Sequence, residues 1–127
     1  MPEQIPTARL EHVNISTTDC DRLANFLTQL TGWTRRWEGP AMNNGRTIHL
    51  GEDTYLAIYT NADTVGGFAQ GAPMNHIGIA VADIARAERL VVEAGLVTFN
   101  QGQYDPGPRS FYFKDWDGME FEIVAYE

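Results

Sequence analysis

Apolar residues along this chain recur in two rhythms, every second position in short stretches and every third or fourth in two longer ones. In HVNIS, His12, Asn14 and Ser16 alternate with Val13 and Ile15; in HIGIAV, His76, Gly78 and Ala80 alternate with Ile77, Ile79 and Val81. Both patterns predict strands with one greasy and one polar or small face. Behind each strand comes a helical stripe, Leu23, Phe26, Leu27 and Leu30 in one case and Ala87, Leu90, Val91 and Ala94 in the other. Asp19 and Asp83 stand where helix N-caps belong, and Gly32 and Gly95 where the helices should stop. Three further strand candidates come after each helix: WTRRWEG, GRTIHLG and TYLAIYT, then LVTFNQ, PRSFYFKD and MEFEIVAYE.

The two halves are one unit repeated. His12 and Asp19 match His76 and Asp83 at a constant offset of 64 positions, without a gap. The expected fold class is therefore α+β, two βαβββ modules forming a curved mixed sheet around a cleft. Residues 1–127 read as a single domain: module 1 over about 8–60, a Gly-, Ala- and Asp-rich linker over 61–73, and module 2 over about 74–127.

Composition narrows the function classes. With 127 residues, 43% of them hydrophobic, the chain has the core of one globular domain. A net charge of −8 argues against a nucleic-acid or anionic-membrane partner. A cationic ligand would be attracted, although acidity also serves plain solubility. Cys20 is the single cysteine and reads as structural filler, so no internal disulfide is available. MPEQIPTARLEH lacks the features of a signal peptide and no apolar run approaches membrane-spanning length, which together predict a cytoplasmic protein.

If the β-branched faces pack on the helices, both histidines turn toward the opposite face. Glu122 is expected there too, because its neighbours Phe121 and Ile123 in FEIVAY belong on the helix side. Each residue taken singly has an ordinary explanation, a hydrogen-bonded histidine or a salt-bridged glutamate. Two imidazoles and a carboxylate on one face are also a ligand set for a divalent cation.

LEHVNI, MNHIGIAV and the closing hairpin RSFYFKDWDGMEFEIV resemble the vicinal oxygen chelate superfamily over nearly the whole chain. That group contains glyoxalase I, bleomycin resistance proteins, fosfomycin resistance enzymes and extradiol dioxygenases. Its hairpin usually turns through Asp-Pro-Asp-Gly; here Trp116 replaces the proline, while Gly118 and Glu122 keep their places. The resemblance implies a glyoxalase/bleomycin resistance/dihydroxybiphenyl dioxygenase-like fold. It also implies a divalent transition metal, Fe, Mn, Co, Ni or Zn, held by His12, His76 and Glu122. Such a metal would act as Lewis acid on a small oxygen-chelating substrate during isomerisation, thiol transfer or ring cleavage. Short relatives usually form homodimers, often building each site from two chains.

Laying DTYLAIYT over DGMEFEIVAY brings Ala57 opposite Glu122. Glyoxalase I proteins usually carry a glutamate at that position, so its absence argues against their reaction and leaves the three-ligand branches open. Candidate proton carriers are Tyr59 and His49, although the usual distribution of histidine favours a partly exposed strand residue for the latter. Substrate contacts are expected from Trp37, Arg46, Tyr55, Arg109, Phe111 and Phe113, with Phe111 and Phe113 equally readable as sheet packing. The competing functional reading is a metal-free protein of bleomycin-resistance type that sequesters a small-molecule drug; a duller one is an accessory domain without chemistry.

Overall fold

Module 1 consists of β1 (His12–Ser16), α1 (Cys20–Thr31), β2 (Arg35–Ala41), β3 (Gly45–Gly51) and β4 (Tyr55–Thr60). Module 2 repeats it with β5 (Ile77–Ala80), α2 (Ile84–Glu93), β6 (Thr98–Gln103), β7 (Arg109–Lys114) and β8 (Glu120–Ala125). The computed structural model describes residues 3–4, 7–68, 71, 73–103 and 107–126. Residues 69, 70 and 72 of the expected linker, and 127 at the end of module 2, lie outside them.

Each module folds its four strands into one sheet of the same order, β1-β4-β3-β2 and β5-β8-β7-β6. The later strands form antiparallel pairs, whereas the first strand of each module lies parallel to the last. Register confirms the internal repeat: Asn14 pairs with Ala57 in module 1, and Gly78 with Glu122 in module 2. Ala57 therefore occupies the position equivalent to Glu122.

Local chemistry sets the helix ends. The carboxylates of Asp19 and Asp83 accept the backbone N–H of Arg22 and Arg86, each at 3.0 Å, satisfying donors that a first turn leaves free. Gly32 closes α1 in the left-handed region at φ 80°. In α2 the cap falls on Ala94, and the left-handed turn comes one residue later at Gly95, φ +85°.

The helices lie between the sheets and share one core. Leu23, Leu27 and Val91 of the helices, Ile48, Leu50 and Ile58 of sheet one, and Phe111, Phe113, Phe121 and Ile123 of sheet two are all buried in it. Each such side chain contributes about 1.5–3 kcal/mol of burial. Helix α1 also reaches across the repeat: Phe26 meets Phe113 and Trp116 edge-on at 5.9 and 5.6 Å, and the Arg22 guanidinium sits 4.4 Å over the Trp116 ring. The tryptophan that replaces the turn proline thus packs between the modules. Among the described residues no helix is long and apolar enough to cross a membrane.

Candidate metal centre

Because the core claims one face of each sheet, alternation presents the other outward. On β1 the exposed residues are His12, Asn14 and Ser16; on β5 they are Gly78 and Ala80. The two candidate histidines begin these surfaces, one on each sheet.

His76 stands immediately before β5, and Glu122 points from the neighbouring β8. The imidazole Nε2 lies 3.1 Å from Glu122 Oε1, with the side chains 30% and 18% exposed. On its other side His76 Nδ1 is 2.7 Å from Asn75 Oδ1. Both oxygens only accept, so the two contacts are satisfied together by a ring protonated on both nitrogens, or by a proton on Nδ1 with a cation between Nε2 and the carboxylate. Two donors each about 2.1 Å from a shared metal lie about 3 Å apart, as this pair does. The pair fits a divalent cation.

His12 sits in module 1 among rings. It stacks on Tyr55 at 5.0 Å and 15°, Tyr55 stacks on His49 at 4.6 Å and 23°, and Trp37 meets His49 at 5.0 Å. The row crosses all four strands of the sheet, and Arg36 lies 4.5 Å from the Tyr55 ring. His12 Nδ1 is 2.8 Å from Glu11 Oε1, and this hydrogen bond holds the Glu11 carboxyl below its usual range. Burial, then the charge of Arg36, lowers the His49 pKa. His12 also lines a cleft of about 740 Å³ with Trp33, Tyr55, Ile77 and Gly78. Within the described residues of a single chain, no three His, Cys, Asp or Glu side chains come close enough to hold a metal together. His76 and Glu122 meet; His12 stands apart from them on the other sheet.

Other expected site residues take different positions. Tyr59 donates its hydroxyl proton to the Met42 carbonyl at 2.6 Å and accepts from Asn61 Nδ2 at 3.0 Å, so its oxygen is engaged away from the histidines. Arg46 bonds Asp21 and Glu38 at 3.0 and 2.6 Å, and these carboxylates raise its pKa further. Phe111 and Phe113 are 1% and 0% exposed; packing, not pocket lining, is their role, because their strand turns that face toward the helices. Exposed Arg109 shares their side of β7 by alternation, away from Glu122. Tyr112, which the sequence pattern did not single out, lies directly across from Glu122 and meets the His76 ring edge-on at 5.3 Å. Its signal was present: it is the residue between two core phenylalanines.

Solved structures share this architecture. A glyoxylase/bleomycin resistance protein/dioxygenase domain from Frankia sp. EAN1pec matches with TM-score 0.77 at 16% identity, over 95% of this chain and 99% of that one. The fosfomycin resistance protein FosX from Listeria monocytogenes matches with TM-score 0.75 at 16% identity, over 95% of each chain. FosX has also been solved with Mn(II) and sulfate, and a variant of it with Mn(II) and 1S,2S-dihydroxypropylphosphonic acid. TioX from Micromonospora sp. ML1 matches with TM-score 0.67 at 18% identity, over 94% of this chain and 100% of that one. At these identities the likeness is one of fold. No curated protein sequence matches the chain. The sequence model of one family, however, covers residues 9–123, and the chain belongs to that family, the Glyoxalase/Bleomycin resistance protein/Dioxygenase superfamily.

Proposed function

We propose that this protein is a divalent-metal-dependent enzyme acting on a small organic substrate through neighbouring oxygens, and that each site is shared by two chains. In this reading His76 and Glu122 of one copy and His12 of a second copy hold the metal. The observation that carries it is the Nε2 to Oε1 approach of 3.1 Å, with the other ring nitrogen already occupied by Asn75. FosX, a protein of the same fold, has been solved with Mn(II). Two imidazoles and one carboxylate suit a first-row cation and leave positions open.

Sharing between copies is argued from placement. His12 lies on one sheet and the His76–Glu122 pair on the other, while among the described residues β1 and β5 each have a single strand partner and stand at a sheet edge. A second copy laid against these faces covers the exposed Gly78 and Ala80 and brings a first-module histidine to a second-module pair. When bound, the cation supplies Lewis acidity toward a substrate oxygen. The chain's own groups do the rest: Tyr55 and Tyr112 fix the imidazoles, and His49, one ring beyond Tyr55, serves as proton carrier. Tyr59 drops out of that role because its hydroxyl is spent on Met42.

Protein purified without chelators should carry about one transition metal per chain, and Glu122→Ala should lower Mn(II) affinity at least tenfold. Equal, negligible metal retention by both proteins overturns the reading. The row of rings ending at Trp37, itself 48% exposed, favours a second function, metal-free capture of a flat drug. Thermal stabilisation by such compounds but by no metal would establish it instead.

A further inference from the structure

The residue before each candidate ligand does the same thing in both modules. Glu11 Oε1 lies 2.8 Å from His12 Nδ1, and Asn75 Oδ1 lies 2.7 Å from His76 Nδ1. An ionised carboxylate has no proton to give, and an amide oxygen has none either. In both contacts the imidazole must therefore be the donor, which places a proton on Nδ1; Nε2 is then the open nitrogen of His12, while that of His76 faces the Glu122 carboxylate at 3.1 Å. A second contact restrains each ring, Tyr55 stacked on His12 at 5.0 Å and Tyr112 edge-on to His76 at 5.3 Å.

We propose that Glu11 and Asn75 are positioning residues that hold a proton on Nδ1 and fix the ring orientation of the two metal-binding histidines. The proposal rests on the metal reading for its purpose, though not for its geometry. Adjacency in sequence makes the device local, since backbone and partner arrive together and no long-range packing is needed to aim the ring.

The test has one arm without metal. Nitrogen NMR of the metal-free protein at about pH 8 should find a proton on Nδ1 of both His12 and His76, whether or not the His76 Nε2 also carries one toward Glu122. Glu11→Ala should release His12 into a mixture of tautomers while leaving His76 unchanged; Asn75→Ala should leave His12 unchanged and shift the His76 proton to Nε2, toward Glu122. In the second arm, Mn(II) affinity should fall about 10–100-fold in each alanine variant, and Glu11→Gln, which keeps an acceptor, should recover most of the loss. Rings protonated only on Nε2 in the wild type overturn the proposal, as do alanine variants that bind Mn(II) within twofold of it. If His12→Ala and Glu122→Ala also bind like wild type, the metal reading itself fails; the tautomer arm remains the judge of ring positioning.

Discussion

Thr17 donates its hydroxyl proton to the carboxylate of Asp117, one hundred positions further along the chain, joining the end of β1 to the turn that precedes β8. Thr18 adds its backbone N–H and its hydroxyl to the same carboxylate, each at 2.9 Å. The Asp117 carbonyl in turn accepts from the linker N–H groups of Gly67 and Phe68 at 3.1 and 2.8 Å. One aspartate thereby ties together both modules and the segment between them. Asp117→Ala leaves buried donors without an acceptor and should cost about 2–3 kcal/mol. Urea unfolding should show a lower midpoint at unchanged slope.

The same turn makes stability depend on acid in a definite sense. Burial alone would raise the Asp117 pKa, but the hydrogen bonds from Thr17 and Thr18 bring it below its ordinary value of 3.8. Its contribution is present above 3.8 and disappears as pH falls through the lower folded value. Asp115 behaves oppositely, since burial raises its pKa. Its contribution is complete below the ordinary value and is lost as pH rises through the folded one. Asp117→Asn should therefore flatten the acid limb of a urea-stability profile between about pH 2 and 4. Asp115→Asn, which keeps an oxygen for the backbone donors of Asp117 and Met119, should be neutral or stabilising at pH 7.

Tyr59→Phe separates scaffold from chemistry. Removing the hydroxyl breaks its bond to Met42 and should lower stability by about 0.5–1.5 kcal/mol, with Mn(II) affinity unchanged. Gly45→Ala should do more, because a Cβ there would lie 2.5 Å from the Tyr59 ring. A loss of Mn(II) binding in Tyr59→Phe would return that tyrosine to the site.

Neighbours on β7 should respond differently to substitution. Phe113 stacks on Phe121 at 5.2 Å and touches Phe26, so Phe113→Ala should cost about 3–5 kcal/mol. Tyr112→Phe, on the opposite face, should cost far less. Thermal denaturation of the two variants provides the comparison.

Shared sites predict complementation. His12→Ala and Glu122→Ala chains, each deficient alone, should regain high-affinity Mn(II) binding at one site per dimer when refolded together. Mixed dimers that form but do not regain it would overturn the sharing of a site between copies.

Much of this was legible in the residues. The offset linking His12 to His76 specified two like modules, and alternation around Val13, Ile79 and Phe121 sorted each strand into a helix side and an outward side. Alternation fixes a direction but not a position, which is why it put His12, His76 and Glu122 on corresponding faces without revealing that one chain holds His12 apart from the other two. It also left Phe111 and Phe113 open until their packing against the helices was visible. Contacts at long separation, such as Thr17 with Asp117, have no periodic signature. Tyr112 and the partners Glu11 and Asn75 were readable in principle, from position relative to residues already singled out.

The parallel pairing of β1 with β4, and of β5 with β8, has a consequence for how the molecule comes into being. Neither opening strand can form a hairpin with its successor in the chain; each must wait for the closing strand of its own module, because His12 aligns with Tyr55 and Ile77 with Phe121. During synthesis His12 therefore has no ring to stack on until Tyr55 has left the ribosome, and His76 has no carboxylate to face until Glu122 has. Each contact is deferred until the closing strand of its own module is made, when the helix and inner strands able to restrain it are already in place.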